Sequence, residues 1–481
     1  MTALEERLRQ IHASSAGKKI GAFFDYDGTL INGFSYAAIY RRRLRRLEVS
    51  PVELARTLLL AARGIDREED FEAILALTRP ALTGRTVQQM TELGEDLFKH
   101  ETGSMLRPAM WQVVQAHRER GHRIVVASSA TPFQVGPIAR EIQADHVLCT
   151  QFEVDDGVLT GRVQGRTLWG PGKAAAVRAL AREHDIDLAE SFAYSDGNED
   201  VPYLEAVGHP AVVCPQHGLR AEADSRGWPV LDVGGPGGPP LPLLAAGTAA
   251  FYLGAAWASA AGLALSVAKQ DPGLLTSAGL APGAQLGLSL AGVRIRVADG
   301  EEYLESARPC VFVFNHQSKL DVPILGALLR KDITGVAKQE VRSVPAIGRL
   351  MAMAGMVFID RSDTARAIEA MAPAVAKLRD EGISLVIAPE GTRSITPRVG
   401  PFKKGAFHIA MQAGVPVVPI VIRNAGELMW RGSQLVRPGT VEVIVLPPVD
   451  TSGWTAAHVG QYAQDVREMF VRTLAGWPGE R

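Results

Sequence analysis

Two carboxylates two residues apart close the apolar run Phe23-Phe24, in the sequence Asp25-Tyr26-Asp27-Gly28-Thr29-Leu30. Residues leaving a buried strand reach the sheet edge where ligands bind, and two aspartates there can hold a Mg2+ that screens an approaching phosphate. One carboxylate can then attack phosphorus while the other handles protons. Later segments add to the same chemistry. After the apolar run Ile124 to Ala127, Ser128-Ser129-Ala130-Thr131-Pro132 supplies hydroxyl and backbone N–H donors for a phosphoryl oxygen. Gly170-Pro171-Gly172-Lys173 puts a lysine at a predicted helix start, where its charge and the helix dipole both favour an anion. Tyr194-Ser195-Asp196-Gly197-Asn198-Glu199-Asp200 follows a further apolar run and offers carboxylates to complete a magnesium site.

A different chemistry is written further along, in Asn315-His316-Gln317-Ser318-Lys319-Leu320-Asp321. At ~100° per residue, positions five apart lie ~140° from one another on a helix. The two side chains therefore meet only if His316 occupies the turn before a helix begun near Asp321 and Pro323. The carboxylate can then orient the imidazole and stabilise its protonated form while the other ring nitrogen takes a proton from an attacking hydroxyl. Three blocks follow in order: Gly355 to Arg361, Ala388-Pro389-Glu390-Gly391-Thr392-Arg393-Ser394, and Val415 to Ile420.

Positioning two such constellations requires two sheets. Short apolar runs (Ile20 to Phe24, Ile124 to Ala127, Phe192 to Tyr194, Ala211 to Cys214) alternate with helical patterns, as do Cys310 to Phe314, Ser384 to Ala388, Val415 to Ile422 and Val441 to Leu446. Both stretches read as wound α/β units with buried parallel strands. The 481 residues fit about three structural units at ~150 residues each. Between the α/β units runs Gly234 to Pro240, which sustains neither helix nor strand, and then Leu241 to Ala268, 28 residues without a charge. At 1.5 Å per residue that segment is long enough to cross a hydrocarbon core of ~30 Å. A second uncharged stretch, Pro272 to Val293, is interrupted by Pro282-Gly283. We expect a two-element hairpin, spanning or re-entrant, which returns the chain to the side it left; a buried hairpin of a soluble protein is the alternative.

Fifty-one Lys plus Arg against 52 Asp plus Glu leave a net charge of −1, which argues against a nucleic-acid partner. Cys149, Cys214 and Cys310 are far apart and form no C-x-x-C pair, so a reducing cytosol is expected and a thiolate zinc site is not. The first ten residues lack the apolar run of a signal peptide.

The ordered set from Asp25 to Asp200 resembles the haloacid-dehalogenase superfamily of aspartate-nucleophile phosphatases, within it the phosphoserine-phosphatase-like branch, over about residues 18 to 232. The resemblance implies a Rossmann-like domain in which Asp25 forms an aspartyl-phosphate and Asp27 is the general acid/base. It further implies that Ser129 and Lys173 grip the phosphoryl group, and that Asp25, Asp27, Asp196 and Asp200 surround Mg2+. Ser128 is the alternative to Ser129, whose Ser-Ala-Thr-Pro context is the better match. A helical cap over about residues 31 to 120 would close over substrate. True phosphoserine phosphatases carry a glutamate nine positions after the nucleophile; Phe34 stands there in this chain and suits a more apolar leaving group. The run Arg41-Arg42-Arg43-Leu44-Arg45-Arg46-Leu47 is a candidate contact for anionic lipid headgroups, with a solvated helix face as the plain alternative.

The four blocks around His316 closely resemble the glycerolipid acyltransferases, in particular the 1-acylglycerol-3-phosphate acyltransferases, over about residues 290 to 450. That resemblance implies His316 as general base, Asp321 as its orienting partner, and Arg361, Glu390, Gly391 and Arg393 as ligands of the glycerophosphate headgroup. Lys403 and Lys404 are candidates for the phosphates of acyl-CoA, against a reading as ordinary surface lysines. The expected layout is a phosphatase-like domain (1–232), a Gly/Pro linker (233–240), a membrane-associated hairpin (241–293) and an acyltransferase domain (294–481). The expected activity is acyl transfer from acyl-CoA to lysophosphatidic acid at the cytoplasmic face of a bilayer, giving phosphatidic acid, beside a Mg2+-dependent phosphomonoesterase. The alternative is a different glycerolipid acceptor with a non-catalytic regulatory or binding N-terminal module. Oligomeric state is left open.

Overall fold

The computed structural model describes residues 2–63, 68–233, 240–270, 273–338, 342–343, 347–353, 355–359 and 371–477. The chain divides into two compact units, Met1–Gly237 and Gly238–Arg481. The linker residues 234–239 lie outside the described residues.

The strands of the first unit are β1 (Gly21–Phe24), β2 (Arg123–Ser128), β3 (His146–Cys149), β4 (Phe152–Asp155), β5 (Val158–Val163), β6 (Phe192–Ser195), β7 (His209–Val213) and β8 (Val230–Leu231). Six of them form one all-parallel sheet in the order β3-β2-β1-β6-β7-β8. β1 and β6 are buried at every position, which is why they read as unbroken apolar runs rather than alternating ones.

Between β1 and β2 the chain inserts helices Ser35–Arg45, Pro51–Arg63, Glu68–Leu82 and Val87–His100. The cap is narrower in sequence than 31–120 at its far end, because helix Pro108–Glu119 packs on β2 and on helix Ala3–Ala13 and so belongs to the sheet layers. It is also wider, because the β4–β5 hairpin joins it. Gly84 donates to the Leu159 carbonyl and Val87 to that of Gly157, and Phe152 and Leu159 share a core with Leu82 and Met90. The arginine run is largely ion-paired. Arg41 and Arg45 pair with Glu101, Arg42 with Asp96 and Arg43 with Glu53, so four of its five guanidinium groups bind acids on neighbouring cap segments.

In the second unit, helix Leu241–Lys269 buries the stripe Thr248, Phe251, Gly254, Ala258, Gly262 and Ser266. That stripe packs on the turn Leu275–Leu280 and helix Ala281–Leu290, forming a helical hairpin. The pair approaches so closely that a Cβ on Gly262 would lie 2.1 Å from the Gly279 Cα, so only glycine fits. Pro282 does not interrupt this arm: it falls in the first turn of its helix, where a missing N–H costs nothing. Leu241–Lys269 is the one described helix long and apolar enough to cross a membrane. Leu243, Leu253, Trp257 and Val267 stand exposed on it.

Beyond the hairpin come β9 (Val293–Asp299), β10 (Val311–Phe314), β11 (Ile333–Lys338), β12 (Val357–Ile359), β13 (Ser384–Ile387), β14 (Val417–Ile422) and β15 (Gly439–Val445). They form a seven-stranded sheet in the order β12-β11-β13-β10-β14-β15-β9, parallel except between β14 and β15. Helices Gly405–Ala413 and Val459–Ala475 cover one face through Phe407 and Phe470, both fully buried. Helices Ala281–Leu290 and Asp321–Leu329 contribute Leu288, Ile324 and Leu325 to a second core cluster.

Candidate functional site

In the first unit the strand order does the gathering. β2, β1 and β6 are neighbours, so the residues following them, Ser129, Asp25 and Asp196, leave the sheet at one edge. Lys173 reaches the same place from the first turn of helix Pro171–Glu183. Its Nζ donates to Asp200 Oδ2 at 2.6 Å and lies 3.3 Å from Asp25 Oδ1; all three residues are buried. Asp200 Oδ2 also accepts from the Ser195 hydroxyl, and Asp196 Oδ1 from Thr29 Oγ1 at 3.0 Å. Gly28 has φ +74°, and a Cβ there would fall 2.0 Å from Asp196 Oδ2, so the loop's glycine makes room for that carboxylate. Ser128 Oγ is buried and turned to the Ala130 N–H, whereas Ser129 is half-buried.

The expected metal set needs correction. Asp27 is turned to Ser35, accepting its N–H at 2.6 Å through one oxygen and its hydroxyl at 2.9 Å through the other, which leaves each oxygen one lone pair for proton transfer. The Lys173 ammonium stands between Asp25 and Asp200, and among the described residues no group of three or more His, Cys, Asp or Glu is drawn close enough to enclose an ion. The donor chemistry nevertheless suits a hard divalent cation. Asp25 and Asp200 face one lysine, Asp196 feels both of their charges, and all three offer carboxylate oxygens; Asp200 Oδ1 is buried with no hydrogen-bond partner.

Burial, partly offset by Lys173, pushes Asp25 up to about 6. Burial raises Asp27 to about 7, against the Ser35 hydrogen bonds. Asp196 rises to about 8 through burial and then the nearby Asp25 charge, and Glu199 to about 7 through burial and then Asp200. Burial disfavours the charge on Lys173, but Asp200 and Asp25 outweigh it and hold its pKa above the ordinary value. Such an excess of buried negative charge calls for a counter-cation. Glu199, Ser35 and Thr29 are members of this site that the motif reading assigned no role; Glu199 and Thr29 stood inside quoted blocks.

In the second unit β13, β10 and β14 are adjacent and deliver the other constellation. His316 sits in the turn after β10, and helix Asp321–Leu329 starts at Asp321. His316 Nδ1 and Asp321 Oδ2 are 2.8 Å apart, and the same oxygen accepts the N–H groups of Gln317 (2.8 Å) and Ser318 (2.9 Å). Asp321 is fully buried while His316 is partly exposed, so a held carboxylate faces a reachable ring. Asn315 fastens the turn to β14: its Nδ2 donates to the Ile422 carbonyl at 2.7 Å and its Oδ1 accepts the Ile422 N–H at 2.8 Å.

Glu390 plays another part than the expected one. Its Oε1 accepts the His316 N–H and its Oε2 the Gly400 N–H, each at 2.7 Å, and burial raises its pKa. With both oxygens spent on backbone, it holds the histidine turn rather than a headgroup. Ser394 completes the grip, donating to the His316 carbonyl through N–H (2.7 Å) and hydroxyl (3.1 Å). Gly391 takes φ +72°, and its N–H donates to the Ala388 carbonyl within the same turn. Arg393 Nη1 donates to the Arg431 carbonyl at 3.0 Å. Lys403 and Lys404 are exposed in the segment leading into helix Gly405–Ala413, and the Lys403 N–H donates to the Pro389 carbonyl at 2.8 Å. Arg361 lies outside the described residues.

A family model described as haloacid dehalogenase-like hydrolase matches residues 22–205, and one described as acyltransferase matches residues 294–423. The chain is 36% identical over 223 residues to a probable phosphatase of Mycobacterium tuberculosis, covering 45% of this chain and 77% of that protein. It is 36% identical over 184 residues to a 1-acyl-sn-glycerol-3-phosphate acyltransferase of Limnanthes douglasii, covering 38% of this chain and 64% of that one. Against three such acyltransferases the chain spans 61% to 65% of the relative's length. The crystal structure of a 1-acyl-sn-glycerophosphate (LPA) acyltransferase from Thermotoga maritima aligns with TM-score 0.41 at 26% identity, over 47% of this chain and 94% of that one.

Proposed function

From a chain that belongs to the haloacid dehalogenase-like hydrolases through residues 22–205 and matches the acyltransferase family model over residues 294–423, we propose a bifunctional lipid enzyme. Its second unit transfers an acyl group from acyl-CoA to lysophosphatidic acid, giving phosphatidic acid. The observation that carries this reading is the 2.8 Å contact of His316 Nδ1 with the buried Asp321 carboxylate. With Nδ1–H donating to Asp321, the lone pair is on Nε2. Nε2 takes the proton of the acceptor hydroxyl as its oxygen attacks the thioester carbonyl, and the imidazolium, balanced by Asp321, returns that proton to the departing CoA sulfur. Arg393 binds the headgroup phosphate, and the exposed Lys403 and Lys404 meet the phosphates of CoA.

In the first unit Asp25 attacks a phosphomonoester and forms an aspartyl-phosphate, Asp27 protonates the leaving oxygen and then activates water, and Ser129 and Lys173 hold the phosphoryl oxygens. Asp25, Asp196 and Asp200 are the carboxylates that would hold Mg2+, which supplies charge neutralisation at the phosphoryl group. Phe34, largely exposed one residue before the serine that binds Asp27, favours an apolar leaving group such as a lipid phosphate. The hairpin places the protein on a bilayer, at the cytoplasmic face where acyl-CoA is available.

The test uses the purified full-length protein in detergent with lysophosphatidic acid, acyl-CoA and Mg2+, following CoA and inorganic phosphate together. His316→Ala should lower CoA release by ~10²–10⁴-fold and leave phosphate release intact, with Asp25→Asn doing the reverse. Undiminished CoA release from His316→Ala would sink the acyltransfer mechanism. Absent phosphate release from every phosphomonoester tried, including soluble ones, would leave the first unit a binding module.

A further inference from the structure

Three cations stand on the segments around the His316 turn, and among the described residues none of them has an acidic partner. Lys319 lies between His316 and Asp321 in sequence, and its Nζ reaches the Ser433 carbonyl at 3.4 Å. Arg393 and Arg431 clasp one another: Arg393 Nη1 donates to the Arg431 carbonyl, Arg431 Nη1 donates to the Arg393 carbonyl, and Arg431 Nη2 lies 3.4 Å from Thr392 Oγ1. The clasp joins the turn that holds the His316 carbonyl, through Ser394, to the segment running to Ser433. All three side chains are half-buried.

Of the half-buried arginines elsewhere in the chain, Arg43 pairs with Glu53 and Arg423 with Glu442, whereas Arg467 donates to the Gly400 and Val399 carbonyls. Among the described residues no carboxylate lies within ion-pair distance of Lys319, Arg393 or Arg431. Their mutual repulsion is visible electrostatically. Burial and then the Arg393 charge hold the Lys319 pKa below its ordinary value, and the same two causes lower that of Arg431. Like charges held together against repulsion, with N–H groups met by carbonyl and hydroxyl oxygens, suit an anion that accepts from several of them at once.

We propose that Lys319 and Arg431 complete, with Arg393, a subsite for a terminal phosphomonoester, and that three cations rather than one make the acceptor's charge the basis of selection. A phosphomonoester carries about −1.5 to −2 at neutral pH, whereas a lysolipid phosphodiester carries one negative charge. The subsite therefore favours lysophosphatidic acid over lysophospholipids with an esterified headgroup. This rests on the acyltransferase reading of the second unit. The phosphates of acyl-CoA are the other source of the same chemistry.

The experiment compares wild type, Lys319→Gln, Arg431→Gln and Arg431→Lys, all full-length in detergent micelles. It measures kcat and KM for lysophosphatidic acid, lysophosphatidylglycerol and acyl-CoA, and the equilibrium Kd for lysophosphatidic acid without acyl-CoA. Both glutamine variants should raise KM and Kd for lysophosphatidic acid by about 10-fold or more, with kcat within a few-fold of wild type. Their preference for lysophosphatidic acid over lysophosphatidylglycerol should shrink, and Arg431→Lys should recover part of it. Lys319 makes only one long hydrogen bond, so Lys319→Gln keeps the test decisive if Arg431→Gln folds poorly. Unchanged KM and Kd for lysophosphatidic acid in Lys319→Gln overturn the proposal, as does a rise confined to the acyl-CoA KM. If wild type transfers acyl to no acceptor yet binds lysophosphatidic acid through Lys319 and Arg431, the subsite stands and the acyltransfer reading falls. If it neither transfers nor binds, both fall.

Discussion

At the scale of single residues the two sites rest on opposite devices, a buried ion cluster and a buried acceptor. Among the described residues Lys173 is the only cation within ion-pair distance of Asp25 and Asp200, and Lys173→Met leaves two buried carboxylates uncompensated. Breaking a buried pair from one side costs about 3–5 kcal/mol, so this variant should show a clear loss of stability in denaturant titrations run with a chelator. A loss below ~1 kcal/mol would mean the cluster takes up protons instead. A second buried group adds a pH response of its own to the first unit, opposite in sign to that of the raised carboxyls. His117 is fully buried, its Nε2 2.8 Å from the Tyr194 hydroxyl and its Nδ1 2.8 Å from His122 Nδ1, and burial and then His122 lower its pKa well below the usual value. The folded unit keeps His117 neutral, whereas the unfolded chain takes up that proton near pH 6.5. Below that pH the unfolded state binds one more proton at this site, so the His117 contribution is complete above pH ~6.5 and falls by about 1.4 kcal/mol per unit as pH drops. Denaturation of wild type and His117→Phe between pH 7 and pH 5 isolates this contribution; parallel pH profiles would refute it. Asp25, Lys173, Asp196 and the His316–Asp321 spacing were legible because chemistry restricts which residue types serve. The structural duty of Glu390 was not, because a carboxylate that accepts two backbone N–H groups looks in sequence like one that binds a ligand.

Among the elements, the strands that carry the motifs were readable as apolar runs, since a parallel strand buried on both faces needs nothing else. β9 was missed because Val293-Arg294-Ile295-Arg296-Val297 alternates, the pattern of a strand with one face exposed. The β4–β5 hairpin was missed although Asp156-Gly157, both at positive φ, marks its turn between apolar residues. Its strands are short, and it gains its core from cap residues far away in sequence, which no local pattern reports. The helical hairpin was legible from missing charges, but its closeness depends on individual glycines. Ala258 faces Gly283, where a Cβ on the glycine would lie 3.1 Å from that of Ala258. Cysteines at these two positions should therefore form a disulfide under mild oxidation in the otherwise wild-type chain. Adding Gly262→Leu should abolish it, because the larger side chain cannot enter the Gly262–Gly279 contact. Equal cross-linking with and without that substitution would show that the helices pack elsewhere.

On the scale of the molecule, each compact unit has core clusters of its own. Calorimetry should register this as separable transitions. Lys173→Met should lower one of them and Phe470→Ala, which removes a fully buried ring at a cost of ~3–5 kcal/mol, should lower the other. A single transition shifted by both substitutions would show the units unfolding as one. The amide protons offer a finer clock. Ile422, the last residue of β14, gives its N–H to the side chain of Asn315, not to the main chain of a neighbouring strand. Its deuterium uptake is thus timed by a swing of one amide group, and that swing also lets go of the residue next to His316. An isotope label at a strand end becomes a stopwatch for how long the histidine turn stays set.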